Sequence, residues 1–255
     1  MVSSTDKILV AGATGGVGQL VVAKLLAKDL QVCALTRTRA KAESMFEQRV
    51  EIVEGDIREP NPLKNVTNSI SYIICCTGTT AFPSLRWDFA WDFANWFQPA
   101  SSPKAVDGEG VKKLVAAAPR DLKRFVFVSS CGVLRKDDLP FNILNAFGVL
   151  DAKLMGEKAI ATSNLPYTII RPGRLIDGPY TSYDLNTLLR AKTDGQKAVV
   201  LESGDRLNGD ASRIDVANAC VESLFHDTTV NQSFSLINSG DRPANIDWAE
   251  LFAAL

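Results

Sequence analysis

The chain has one histidine, His226, in 255 residues, and five cysteines with no C-x-x-C pair among them. A metal site needs three or four such ligands at close spacing, so none is expected. Cys33, Cys75, Cys76, Cys131 and Cys220 mostly fall in apolar stretches and read as reduced packing residues of a cytosol-like compartment. Cys131 is a reactive-thiol candidate only if it is exposed with a depressed pKa. His226, in SLFHD, reads as a helix C-terminal cation or a surface residue. Charge of either sign is not in excess: 28 Lys and Arg face 29 Asp and Glu. No basic patch stands out, which argues against nucleic acid as a partner. No apolar run is long enough to span a bilayer. The opening MVSSTDK has neither a signal-peptide core nor the arginines of a transit peptide. The expected location is cytoplasmic, or the plastid stroma if a transit peptide has been removed.

What is present is apolar content of 46%, enough for one large core. Short apolar strands alternate with helical spacing. Strands are expected at Lys7–Ala11, Gln31–Leu35, Val50–Glu54, Ser71–Cys75, Arg124–Val128 and Tyr167–Arg171. Helices are expected at Val17–Lys28, Ala40–Gln48, Val106–Ala118 and Ala152–Thr162. This alternation predicts an α/β fold, a doubly wound parallel sheet (Rossmann fold) in one domain over 1–255. Two stretches break the rhythm. Residues 79–103 form an insertion holding Trp87, Trp91 and Trp96. From about 174 the pattern suits a small C-terminal substrate or lid region.

The first strand runs into GATGGVG, with Gly12, Gly15 and Gly18 spaced G-x-x-G-x-x-G. A strand before and a helix after supply the context of a dinucleotide-binding loop. Gly12 makes the tight turn, the middle glycines keep Cβ atoms off a pyrophosphate, and Gly18 lets helix and sheet pack closely. The backbone of Thr14, Gly15, Gly16, Val17 and Gly18 at the helix start then faces the phosphates. The second strand ends LTRTR, with no carboxylate for a ribose 2′-hydroxyl. Arg37 and Arg39 instead suit a 2′-phosphate, which favours NADP over NAD, and of the two Arg39 reads more readily as a solvated helix-start residue. After the third strand, Asp56, beside Ile57, either accepts from an adenine amino group or serves as a turn residue.

These segments, with Ser129-Ser130, LDAKLMGEKAIATSNLPYTIIRPGRL and Arg213-Ile214-Asp215-Val216-Ala217, resemble the atypical short-chain dehydrogenases/reductases along essentially the whole chain. The resemblance is nearest to the NmrA-like, NAD(P)-binding branch of plants and cyanobacteria. It implies a Rossmann fold, NADP as cofactor, and cofactor contacts at Thr77, Gly78, Pro172 and Gly173. Active members use Ser, Tyr and Lys, the last two as Y-x-x-x-K. Ser130, with Ser129 as alternative, matches the serine, and Lys153 matches the lysine and is implied to hold the nicotinamide ribose. Val149 stands where the tyrosine belongs, so the usual general acid is missing. Tyr180 and Tyr183 are low-ranking substitutes, and Tyr167 reads as a strand residue.

Two functions follow. One is an NADPH-dependent reductase of a quinone-, flavin- or carbonyl-type acceptor. The other is a non-catalytic NADP(H) sensor or assembly factor acting through protein partners. The aromatic insertion, with Phe89, Phe93 and Phe97 beside its tryptophans, suits a flat apolar pocket, a helix docked on the core, or a protein-docking surface. The branch resembled is often monomeric, so a monomer or weak dimer is expected.

Overall fold

Strand β1 (Lys7–Ala11) is apolar beyond its first residue, and its side chains are buried on both faces of a sheet. Ile8 and Val10 pack on one side with Leu20, Val21 and Leu25 of helix α1 (Gly18–Ala27). Leu9 and Ala11 pack on the other with Val111 and Leu114 of α3 (Val111–Ala117) and Ile160 of α5 (Val149–Ala161). Strands buried on both faces lose the in–out alternation and read as continuous apolar runs. The computed structural model describes residues 2–66, 69–79, 101–176 and 197–255.

Among the described residues the other strands and α-helices are β2 (Gln31–Thr36), α2 (Arg39–Phe46), β3 (Glu51–Glu54), β4 (Tyr72–Cys75), β5 (Arg124–Val128), α4 (Phe141–Leu144), β6 (Tyr167–Pro172), β7 (Arg174–Leu175), β8 (Lys197–Ser203), β9 (Asp210–Ala211), α6 (Arg213–Glu222), β10 (Gln232–Asp241) and α7 (Trp248–Ala253). Among the described residues the main sheet has eight strands in the order β3-β2-β1-β4-β5-β6-β10-β8, and β7 pairs with β9 apart from it. All main-sheet pairings are parallel except β10 with β8. The order reverses between β1 and β4, which is the crevice where such sheets bind ligands. The fold is therefore Rossmann-like, with a mostly parallel sheet between helices.

Two differences from the sequence reading have physical causes. The expected helix Val106–Ala118 opens with a π-helical stretch, Lys104–Gly110, before α3. The stretch assigned to a small substrate region returns two strands, β8 and β10, to the main sheet. A polar residue hid β10: Ser235 is fully buried in it, and its hydroxyl donates to the carbonyl of Gly204 at 2.9 Å. Among the described residues no helix is long and apolar enough to cross a membrane.

Asp6, just before β1, is buried and ties three segments together. It accepts from the Ser3 amide at 2.9 Å and from Lys123 Nζ at 2.7 Å, just ahead of β5. Burial raises its pKa, but the hydrogen bonds from Lys123, Ser3 and Ser71 outweigh that and hold it at about 2, against 3.8 unperturbed. A depressed carboxyl stabilises the fold above its unfolded pKa and loses that contribution as pH falls through its folded one. Asp6→Asn should lower stability at neutral pH and flatten the decline between about pH 4 and pH 2. Urea midpoints measured across that window check this, and parallel curves for the two proteins would refute it.

Candidate functional site

The ends of β1 and β4 part at the switch point, and the glycine loop fills the gap. Gly12 has φ of +77°, and a Cβ there would lie 3.0 Å from the backbone of Cys76 and Thr77. Only glycine satisfies both conditions cheaply. The Gly15 amide donates to the Gly12 carbonyl at 2.9 Å, closing the turn. A Cβ on Gly18 would overlap that carbonyl, so α1 starts directly on the loop. Among the described residues no side chain caps the start of α1, and its first turn holds no acidic residue. Helix-start amides in that state form an anion site.

Beside the loop lies a cleft of about 390 Å³. Its walls are Gly12 and Thr14–Gly16, Leu35–Arg37 with Lys41, Gly55–Arg58, and Cys76–Thr79, closed by Ser101 and Val106. Every wall lies at the carboxyl end of a strand or on the helix following it. The loop, two cations beyond β2 and two open strand ends fit a dinucleotide's phosphates, ribose and base.

The structure brings together Gly12, Thr14, Gly15, Gly16, Arg37, Asp56, Ile57, Thr77 and Gly78. Val17 and Gly18 sit just behind, at the helix start. Arg39 is turned away. Its guanidinium donates to the Ile52 carbonyl at 2.9 Å and lies near Glu43 and Glu54, and the side chain is largely exposed. Lys41, one turn further along, lines the cleft instead. Asp56 forms a tight turn: Arg58 donates to it from its backbone at 2.9 Å and from Nε to both carboxylate oxygens. Burial raises the Asp56 pKa, and Arg58, with the charge of Arg37, more than offsets this and keeps it low.

Pro172 and Gly173 do not line the cleft, because the sheet uses their backbone groups. The Cys131 amide donates to the Pro172 carbonyl at 2.9 Å, and the Gly173 amide donates to Leu236 at 2.9 Å. Gly173 is small because the Gly209 carbonyl presses on it and occupies the place a Cβ would take.

Ser130 and Lys153 meet the same end of β5. The Ser130 hydroxyl donates to the neighbouring Cys131 carbonyl at 3.0 Å. Ser129 is buried, and its hydroxyl has no partner among the described residues. Lys153 Nζ donates to Thr77 O and Val128 O, each at 2.9 Å, and pairs with Asp107 Oδ1 at 2.8 Å. Protein oxygens thus hold the ammonium on three sides. Val149, in the tyrosine's position, is buried at the start of α5. Tyr167 lies at the amino end of β6, the opposite end of the sheet. Tyr180, Tyr183 and the residues Trp87, Phe89, Trp91, Phe93, Trp96 and Phe97 lie outside the described residues.

Cys131 is buried and donates to the Arg171 carbonyl at 3.0 Å. Burial pushes its thiol up to about 11, so it stays protonated and unreactive. Arg171 and Glu157 form a buried bidentate pair at 3.0 and 2.7 Å. Asp215 is buried against Arg242 and Asn238. The Arg-Pro-Gly and Arg-Ile-Asp segments therefore carry structural ion pairs. Among the described residues no three His, Cys, Asp or Glu gather as metal ligands.

Sequence reasoning missed Lys41, Arg58 and Asp107. Asp107 had a signal. It stands four, seven and eight residues before Val111, Leu114 and Val115, on the apolar stripe of its helix. A carboxylate on such a stripe is a buried charge in search of a partner.

Comparison with known proteins agrees with this geometry. The family described as NAD(P)H-binding matches residues 12–227. An uncharacterized chloroplastic protein of Arabidopsis thaliana is 32% identical over 266 residues, covering 98% of this chain and 83% of that protein. Sanguinarine reductase of Eschscholzia californica is 28% identical, covering 96% and 93%. A NAD-dependent epimerase/dehydratase-like structure from Bacillus halodurans superposes with a TM-score of 0.72 at 23% identity, covering 98% of this chain and all of that one, which supports the fold.

Gly12→Ala should weaken NADPH binding by at least about tenfold, since a left-handed non-glycine residue costs about 1–2 kcal/mol before any clash with Cys76. Titration of NADPH fluorescence reads this, and unchanged affinity would refute the role given to the loop.

Proposed function

We propose, for a chain that belongs to the NAD(P)H-binding family of atypical short-chain dehydrogenases/reductases, that it is an NADPH-dependent reductase of a quinone-, flavin- or carbonyl-type acceptor. The observation that carries the reading is the second-strand wall of the cleft: Arg37 and Lys41 line it, and no carboxylate stands at the end of β2. Guanidinium and ammonium groups there suit a 2′-phosphate, where a ribose-binding carboxylate would repel it. The Gly12–Gly18 turn and the start of α1 hold the pyrophosphate. Asp56, fixed by Arg58, and Ile57 border the base. NADPH, when bound, supplies the hydride.

No tyrosine stands at the position of Val149 to donate a proton to the acceptor oxygen. Acceptors that take a hydride without a positioned acid are therefore favoured, and quinones and flavins are of that kind. A relative that is itself a reductase, aligned over 96% of this chain, supports the assignment. The chloroplastic relative supports a plastid setting.

A second reading draws on a specific observation. With Val149 buried and Lys153 held on three sides by protein oxygens, the chain has the makings of an NADP(H)-responsive binding protein without turnover. It predicts partner affinity that differs between NADPH, NADP and no cofactor. Equal affinity in all three states would refute it.

The reductase reading is tested by absorbance at the reduced-nicotinamide band, with and without a panel of quinones, flavins and carbonyl compounds. Acceptor-dependent oxidation is expected, and none across the panel despite saturable binding would overturn it. Arg37→Ala should raise the NADPH dissociation constant about 10- to 100-fold, the worth of about 1.5–3 kcal/mol for hydrogen bonds to a charged group. NADH affinity should change little. Equal losses for both cofactors would overturn the 2′-phosphate assignment.

A further inference from the structure

The pair formed by Lys153 and Asp107 lies where the sheet opens. The β4–β5 ladder runs as far as Cys75 opposite Phe127. One and two residues further on, the strands have parted, and Lys153 Nζ spans them by donating to Val128 O and Thr77 O, at 2.9 Å each. Asp107 is fully buried and supplies the countercharge at 2.8 Å. Its other oxygen accepts from the Thr79 amide at 3.0 Å and the Thr79 hydroxyl at 2.6 Å. Thr77, Gly78 and Thr79 are one wall of the cleft. A Cβ on Gly78 would lie 3.6 Å from Lys153 Nζ and 3.7 Å from Asp107 Oδ1, so the wall rests directly on the ion pair.

The packing is built to bring these charges together. A Cβ on Gly156 of α5 would lie 2.8 Å from the Asp107 carbonyl, so at that point the backbones of α5 and the π-helical stretch meet directly. The wider turn of a π-helix and this bare contact set the carboxylate beside an ammonium one turn earlier on α5. An ammonium has three N–H donors. Here two donate to carbonyls, and the third side faces a carboxylate.

We propose that Asp107 is a positioning residue, and that with Lys153 it forms a strut that preforms the Thr77–Thr79 wall of the nucleotide cleft, the lysine serving the sheet rather than donating to the cofactor. The proposal deepens the NADPH reading of the cleft and rests on it for the ligand used. A nucleotide with its 2′-phosphate at Arg37 and its pyrophosphate on the glycine loop lies along this wall with its adenosine half. Loss of the strut therefore weakens binding of that half as well. A lysine that donated to the nicotinamide ribose would affect only ligands carrying that ribose.

The test compares wild type with Lys153→Met and with the double variant Asp107→Asn/Lys153→Met, in which no unpaired charge is buried and the introduced amide oxygen still accepts from Thr79. Two quantities are read: exchange of the Thr79 amide in cofactor-free protein, and dissociation constants for NADPH and for 2′,5′-ADP, which lacks the nicotinamide half. In both variants the Thr79 amide should exchange about 100-fold faster or more, as local opening of the wall becomes easier. NADPH and 2′,5′-ADP should weaken together, by about tenfold. Weaker NADPH with unchanged 2′,5′-ADP would overturn the strut in favour of a cofactor-donating lysine. Unchanged Thr79 exchange would also overturn it. Wild-type protein that binds neither nucleotide would refute the NADPH reading, and the exchange measurement would still decide the strut.

Discussion

The organisation of this molecule depends on how closely β1 and β4 approach before they part. At Gly12 the backbone of Cys76 and Thr77 leaves no room for a Cβ, and the chain turns through a left-handed conformation. Immediately beyond, the strands lead to opposite sides of the sheet. In the gap between them strand ends, a helix start and open backbone converge. Cleft, cation pair and wall are all consequences of that parting, and the cores on the two faces hold it in place.

Around the carboxyl end of the sheet, buried charges are paired with partners from other elements. Arg171 meets Glu157, Lys153 meets Asp107, and Asp215 meets Arg242. Asp205 accepts from the Gly132 and Leu134 amides at 2.8 Å each and fixes the loop after β5. Such pairs add little net stability compared with apolar packing, but removing one partner costs about 3–5 kcal/mol. Their effect is to fix one arrangement of loops over the sheet, which a site built from several loop ends requires.

The first half of the fold was legible in the sequence because its signals are local. Strands buried on both faces are unbroken apolar runs, and the glycine loop sits between one of them and a helix. β10 escaped because the buried Ser235 breaks its apolar pattern, and the hydrogen bond that makes this serine tolerable reaches 31 residues along the chain. In the site, the loop and Arg37 were readable from spacing and residue type. The orientation of Arg39 was not, since it depends on Ile52 and Glu54 of β3 as well as on Glu43 of its own helix. Nor was the use of Pro172 and Gly173 backbone groups by Cys131 and Leu236. The enclosure of Lys153 needed Asp107, whose place on an apolar stripe was the one local sign of it.

The carboxylate of Asp205 also bears on the order in which the protein can become complete. The turn it holds, Gly132 to Leu134, leaves the ribosome about seventy residues before its acceptor does. β10, which lends its Leu236 carbonyl to Gly173, is made later still. During synthesis β1 to β4, the strands of the nucleotide cleft, emerge first, while α1 still waits for α6 to pack on it and β6 waits for β10. The loop after β5 and the β6 edge are therefore fixed only after every strand of the nucleotide cleft has been made.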